Sequence, residues 1–169
     1  AQKLVDDVMA EFGKIDILIN NAGVGDFGSF EDMPVETWEK VMKVNLFGVY
    51  YVAKATLPYL KQNKEGDIIN VASTAGLKGG PNMSAYCASK AAVISLSQSL
   101  MAELRKFNIR VITLTPSTIA TDMSIEGKLT DGNPEKVLQP EDFAEWVRDI
   151  LKMNRRAMIA SASIFSTNP

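Results

Sequence analysis

Residues 15–23 read Ile15-Asp16-Ile17-Leu18-Ile19-Asn20-Asn21-Ala22-Gly23. A short, β-branched apolar run closed by an Asn-Asn-Ala-Gly turn predicts a strand buried on both faces. The pattern returns at Asp67 to Ala72 (Asp-Ile-Ile-Asn-Val-Ala) and at Arg110 to Thr115, and a shorter run lies at Met158 to Ala162. Helical stretches separate these runs. Leu4, Val5, Val8, Met9 and Phe12 recur at helical spacing up to Gly13, with no polar cap residue ahead of them. Glu36 to Gln62 reads as one long helix, with Trp38, Val41, Met42, Asn45, Val49 and Val52 on one face. Ser84 to Lys106 reads as a second, with the small residues Ala88, Ala91 and Ala92 on its surface. Pro140 and Asp142 open a further helix running to about Met153. This alternation predicts an α/β fold, a doubly wound parallel sheet with helices on both faces, within one domain of residues 1–169. Ligands of such sheets bind beyond the carboxyl ends of the strands. Asn20 to Gly23, Ser73 to Gly76 and Thr115 to Thr121 are therefore expected to meet.

Composition narrows the chemistry. The 169 residues are 46% hydrophobic with a net charge of −2, enough for a packed core and no basic surface for nucleic acid or anionic membrane. No apolar run is long enough for a membrane span and no signal pattern opens the chain, so the expected location is the cytoplasm. A single cysteine, Cys87, excludes an internal disulfide and reads as a packing residue. Histidine is absent, which removes Ser-His and Cys-His catalysis and disfavours a metal site; none is expected. Acid–base work must fall to Tyr, Lys, Asp or Glu.

Tyr86 and Lys90 stand four apart near the start of a helix, which places both on one face. A phenol titrates near ~10, too high for ready acid–base work at neutral pH. A fixed ammonium nearby, and the helix N-terminus, are expected to lower that value. Ser73, at a neighbouring strand end, is placed to hold a carbonyl oxygen against the phenol.

Together with these residues, Asn20-Asn21-Ala22-Gly23, Asn45 in Val44-Asn45-Leu46, Ser73 in Ala72-Ser73-Thr74-Ala75-Gly76, and Pro116-Ser117-Thr118-Ile119-Ala120-Thr121 occur in one order along nearly the whole chain. In this the sequence resembles the classical short-chain dehydrogenase/reductases, and within them the 3-oxoacyl-carrier-protein reductases. The resemblance implies the C-terminal part of a Rossmann-type domain and a hydride transfer between NAD(P)(H) and a carbonyl or secondary alcohol. It implies Tyr86 as proton donor, with Lys90 lowering its pKa and bonding the nicotinamide ribose. Ser73 would polarise the substrate oxygen, and Asn45 would hold a relay water. Asn20, Ala22 and Gly23 would lie along the adenosine side, and Pro116, Ser117, Ile119 and Thr121 along the nicotinamide. Ser117 stands where the family usually has glycine. The cofactor would be NADP or NAD, with NADP slightly favoured.

The family's opening Gly-rich phosphate turn is not in this sequence. The resemblance therefore implies a single incomplete domain, lacking first βαβ units on the order of 60–70 residues. A chain of this kind is expected to fold poorly alone and to bind cofactor weakly. The expected substrate is a small carbonyl compound or an acyl-carrier thioester, covered by residues 124–139 as a lid. The expected assembly, when complete, is a homodimer or homotetramer through the two long helices. The alternative reading is an inactive remnant or a non-catalytic binding protein on the same scaffold. Substrate, cofactor preference, direction and oligomer size are not legible in the residues.

Overall fold

The computed structural model describes residues 1–167. Its centre is a four-stranded sheet of β1 (Ile17–Asn20), β2 (Gly66–Val71), β3 (Ile109–Pro116) and β4 (Ser161–Ile164). All neighbours are parallel and the spatial order is the chain order, β1-β2-β3-β4. The helices are α1 (Gln2–Phe12), α2 (Val35–Met42), α3 (Gly48–Asn63), α4 (Ser84–Leu104), α5 (Asp122–Glu126) and α6 (Pro140–Lys152).

The period-two rule divides the strand residues between two faces. Ile68, Ile109 and Val111 turn to one side, where Leu60 of α3 and Leu104 of α4 cover them. Ile69, Ile112 and Leu114 turn to the other, against Val147 and Ile150 of α6. These buried runs are why β2 and β3 read as continuously apolar, and they make the sheet doubly wound as expected. β1 is the exception. Leu18 packs towards α3, while Ile17 and Ile19 remain 44% exposed on the α6 side.

The single long helix expected over Glu36 to Gln62 is corrected. It is α2 and α3 joined by a π-helical turn at Lys43–Phe47. Such turns widen the backbone by one residue and occur at functional sites; here the turn carries Asn45. The last strand is also displaced. Met158 and Ile159 pack against the α6 cluster, but ladder pairing starts only where Ser161 meets Thr113. The long connection after β3 contains α5, which Thr121 and Ser124 open with a reciprocal capping box. Gln139 and Asp142 do the same for α6, with Pro140 in its first turn.

An ion cluster locks the end of the sheet opposite the strand carboxyl termini. Asp67 accepts two hydrogen bonds from Arg110, at 2.6 and 2.9 Å, and a third from Arg155 at 3.2 Å. Arg110 also donates to the carbonyls of Met153 and Leu151, and Arg155 to those of Gly66 and Asn108. The cluster thus ties the starts of β2 and β3 to the end of α6. Asp67 holds the Arg110 guanidinium well above its ordinary pKa, mainly through their hydrogen bonds.

Candidate active site

The three strand ends do meet. A cleft of about 950 Å³ is lined by Asn21 to Gly23 after β1, Val71 to Ala75 after β2, and Pro116 to Ile119 with Thr121 after β3. Ser73, Tyr86 and Lys90 lie on its wall together. Of the residues expected to contact cofactor, Ala22, Gly23, Pro116, Ser117, Ile119 and Thr121 also line it. Ser117 keeps its amide on the Ile164 carbonyl at 2.9 Å, so the serine is accommodated by pairing the loop with β4.

Tyr86 and Lys90 project from the sheet-facing side of α4. The helix comes close because of Gly76. A Cβ there would stand 2.7 Å from the Lys90 carbonyl carbon and 2.9 Å from the Ala91 nitrogen. Only a residue without a side chain lets the short helical turn Thr74–Gly76 rest on α4, and that contact sets Ser73 opposite Tyr86. Ser73 itself caps this turn, accepting the Ala75 amide at 3.1 Å.

Lys90 is 5% exposed and donates to the Val71 carbonyl at 2.9 Å. Its ammonium lies 5.7 Å from the centroid of the Tyr86 ring. Burial lowers its pKa to about 8. Tyr86 departs from expectation. Its pKa is raised, first by burial, with Ser73 pulling it back and Cys87 pushing it further up. The ammonium is committed to a backbone carbonyl and sits over the ring, so it does not offset the loss of water around the phenol. No hydrogen bond between the Ser73 and Tyr86 hydroxyls meets ordinary geometric limits among the described residues. At neutral pH Tyr86 therefore holds its proton, the form that donates.

The Lys90 value has a consequence for stability. Because burial lowers it from the ordinary 10.5 to about 8, the folded chain releases this proton before the unfolded chain does. Between those values the unfolded state binds more protons, so stability rises with pH, by at most about 1.4 kcal/mol per unit. Below about 8 both states are protonated and the burial cost is fully present. Above ~10 the raised Tyr86 acts in the opposite sense, since the unfolded phenol ionises first. Urea unfolding from pH 8 to 10 is thus expected to show a rise that a Lys90→Met chain lacks. Parallel curves for the two chains would refute the shift.

Asn45 is 1% exposed. Its side-chain oxygen accepts the Val24 amide at 2.8 Å, and its nitrogen donates to the Val24 carbonyl and to Ser89 Oγ. Ser89 in turn donates to the Tyr86 carbonyl. Asn45 therefore clamps the loop after β1 to the turn of α4 that carries Tyr86. Both its donors are spent, and it does not line the cleft. A Cβ on Gly23 would lie 3.3 Å from Asn45 Oδ1 and 3.5 Å from Lys90 Nζ, so glycine keeps that approach open.

Asn20 corrects the expectation placed on its side chain. It is 8% exposed and donates at 2.7 Å to Asn70, which donates to Ser97, which donates to the Val93 carbonyl. This buried chain fixes the end of β1 to α4. Asn21 faces the cleft instead. Residue types alone missed Phe27, Met83, Met123 and Phe165, which form an apolar side of the cleft together with Leu129 of the expected lid. Met123 lies in the short helix α5 and the others in loops, where no periodicity announces a facing direction.

The profile of the short chain dehydrogenase family matches residues 1–131. The chain belongs to that family. It is 36% identical to the inactive 2-(S)-hydroxypropyl-CoM dehydrogenase 2 of Xanthobacter autotrophicus, over 92% of this chain and 73% of the relative. It is 38% identical to a 3-oxoacyl-acyl-carrier-protein reductase of Thermotoga maritima, over 80% of this chain but only 52% of the relative. Among solved structures, NAD+-bound xylitol dehydrogenase superposes with a TM-score of 0.88 at 27% identity, covering 98% of this chain and 73% of the other. Serine dehydrogenase complexed with NADP+ gives 0.88 at 29% identity, covering 97% and 71%. The family is one of oxidoreductases, its solved neighbours here are complexed with NAD+ or NADP+, and the chain spans between about half and three quarters of the length of the relatives it matches. No helix among the described residues is long and apolar enough to cross a membrane.

Proposed function

We propose that this chain reduces a carbonyl compound to a secondary alcohol with NAD(P)H, in the manner of a 3-oxoacyl thioester ketoreductase. The observation that carries the reading is the meeting of Ser73, Tyr86 and Lys90 on one cleft, with Tyr86 half-buried and protonated. The cleft walls fit the nicotinamide half of the cofactor. Gly23 leaves Lys90 unobstructed, and Pro116 to Thr121 offer backbone and hydroxyl groups across from it. When bound, the nicotinamide supplies the hydride.

The chain's own residues do the rest. Ser73 holds the carbonyl oxygen, and Tyr86 donates its phenolic proton to that oxygen as negative charge develops there. Lys90, anchored on Val71, presents positive charge beside the ring and would bond a ribose hydroxyl of the cofactor. Asn45 keeps the Val24 loop and the Tyr86 turn in register; a relay water is part of the proposal only through its remaining oxygen lone pair. Exposed Phe47 at the end of the π-helical turn and Tyr50 and Tyr51 on α3, with the small exposed Ala91 on α4, support pairing of two copies across these helices.

The test is an assay of NADPH and NADH oxidation against a panel of 3-oxoacyl thioesters, simple ketones and sugars. Carbonyl-dependent oxidation of the reduced cofactor is expected. No oxidation with any carbonyl at millimolar cofactor would favour the second reading, a non-catalytic chain on this scaffold. That reading is kept because the Xanthobacter relative is itself named inactive.

A further inference from the structure

The loop after β1 sends one aromatic ring into the cleft. Phe27 meets Tyr86 edge to face, with ring centroids 5.8 Å apart and planes at 69°. Two glycines hold it there. A Cβ on Gly25 would lie 2.7 Å from Phe27 Cζ, and one on Gly127 would lie 2.7 Å from Phe27 Cε2. Gly25 belongs to the loop after β1, whereas Gly127 follows α5 in the connection over the cleft. The outer edge of the ring is therefore wedged between two backbones that come from distant parts of the chain. The same Gly25 position lies 3.2 Å from Met123 Sδ, so α5 rests on this loop. The Gly28 amide, bonded to the Asn82 carbonyl at 2.9 Å, pins the loop to the turn before α4. A ring held from these directions is a fixed wall. Neither glycine has a turn to make there: neither stands among the positive-φ residues, and steric room for the ring accounts for both.

We propose that Phe27 is the specificity-determining wall on the substrate side of Tyr86, selecting carbonyl compounds with an apolar substituent of limited bulk over polyhydroxylated ones. The inference rests on the oxidoreductase reading and names the substrate class for the same cleft. Met83, Met123, Leu129 and Phe165 extend the apolar surface beyond Phe27. The charged side chains on the cleft are Lys78, Lys90 and Asp122, and Lys90 is already engaged with Val71. Hydroxyl groups placed on the Phe27 side would lose water and find no hydrogen-bond partner on that apolar surface, whereas an alkyl group there would gain by burial.

The test compares the chain with Phe27→Ala and Gly127→Ala on ketones of increasing alkyl bulk and on a sugar ketone. Expected is a rise of about tenfold or more in kcat/KM for the bulky relative to the small ketone, in both variants, with the sugar poor throughout. An unchanged order of substrates, or a sugar preferred by the wild-type chain, overturns the proposal. A second readout is independent of turnover. Spectrophotometric titration of the chain minus that of Tyr86→Phe isolates one of its four tyrosines. Phe27→Ala should shift that midpoint down, because the ring no longer excludes water from the phenol. An unmoved midpoint overturns the wall. If no carbonyl is reduced by any chain, the oxidoreductase reading fails and the titration alone decides on Phe27. Phe27→Leu replaces the alanine variant should that one not fold.

Discussion

Replacing Asp67 by Ala is expected to destabilise the fold by about 3–5 kcal/mol, a large part of the ~5–15 kcal/mol typical of a domain. The carboxylate is 4% exposed and receives two guanidinium groups. Its loss leaves the buried Arg110 charge, with only backbone carbonyls as partners, at the point where β2, β3 and α6 meet. The cost comes from the orphaned cation more than from the lost attraction, so a double change of Asp67 to Leu and Arg110 to Met should cost clearly less than Asp67→Ala alone. Urea unfolding curves decide this. A loss under about 1 kcal/mol for Asp67→Ala would show that water reaches the cluster and screens it. Since the cluster lies at the opposite end of the sheet from the cleft, a destabilised but folded chain should keep the Ser73–Tyr86–Lys90 geometry.

The sheet was legible because its central strands are buried on both faces. Ile68 and Ile69 face opposite helices, so neither could be polar, and the run announces itself. Tyr86 and Lys90 were legible because a helical spacing of four is geometry, whatever surrounds it. The parts that escaped depend on contacts between distant residues. Asn45 was expected on an uninterrupted helix, and the π turn beneath it has no local sequence marker. Asn20 and Asn21 are the same residue type side by side, and which of them faces inward depends on where β1 ends against Asn70. The role of Gly76 is set by how closely α4 approaches, and that of Gly127 by a ring a hundred residues away. The direction of the Tyr86 shift was missed for the same kind of reason. The sequence places an ammonium within one turn of the phenol, but only the fold reveals that Val71 claims it.

Tyr86→Phe is the change with the largest expected effect on chemistry. It removes one hydroxyl that lacks a well-formed partner and leaves the ring against Phe27, so stability should change little. The proton that must reach the carbonyl oxygen, however, is assigned to this phenol. Lys90 donates to Val71, and the Ser73 hydroxyl is a far weaker acid than a phenol. General acid catalysis of this kind is worth about 10²–10⁴ in rate. The loss should fall on kcat, with KM for the carbonyl altered far less, because the phenol acts on charge that appears only in the transition state. The most direct measurement is single-turnover oxidation of reduced nicotinamide cofactor, at millimolar concentration and with excess 3-oxoacyl thioester, in matched wild-type and Tyr86→Phe chains. A wild-type phase slowed by about a hundredfold or more in the variant is expected. Equal rates in the two chains would contradict Tyr86 as the proton donor.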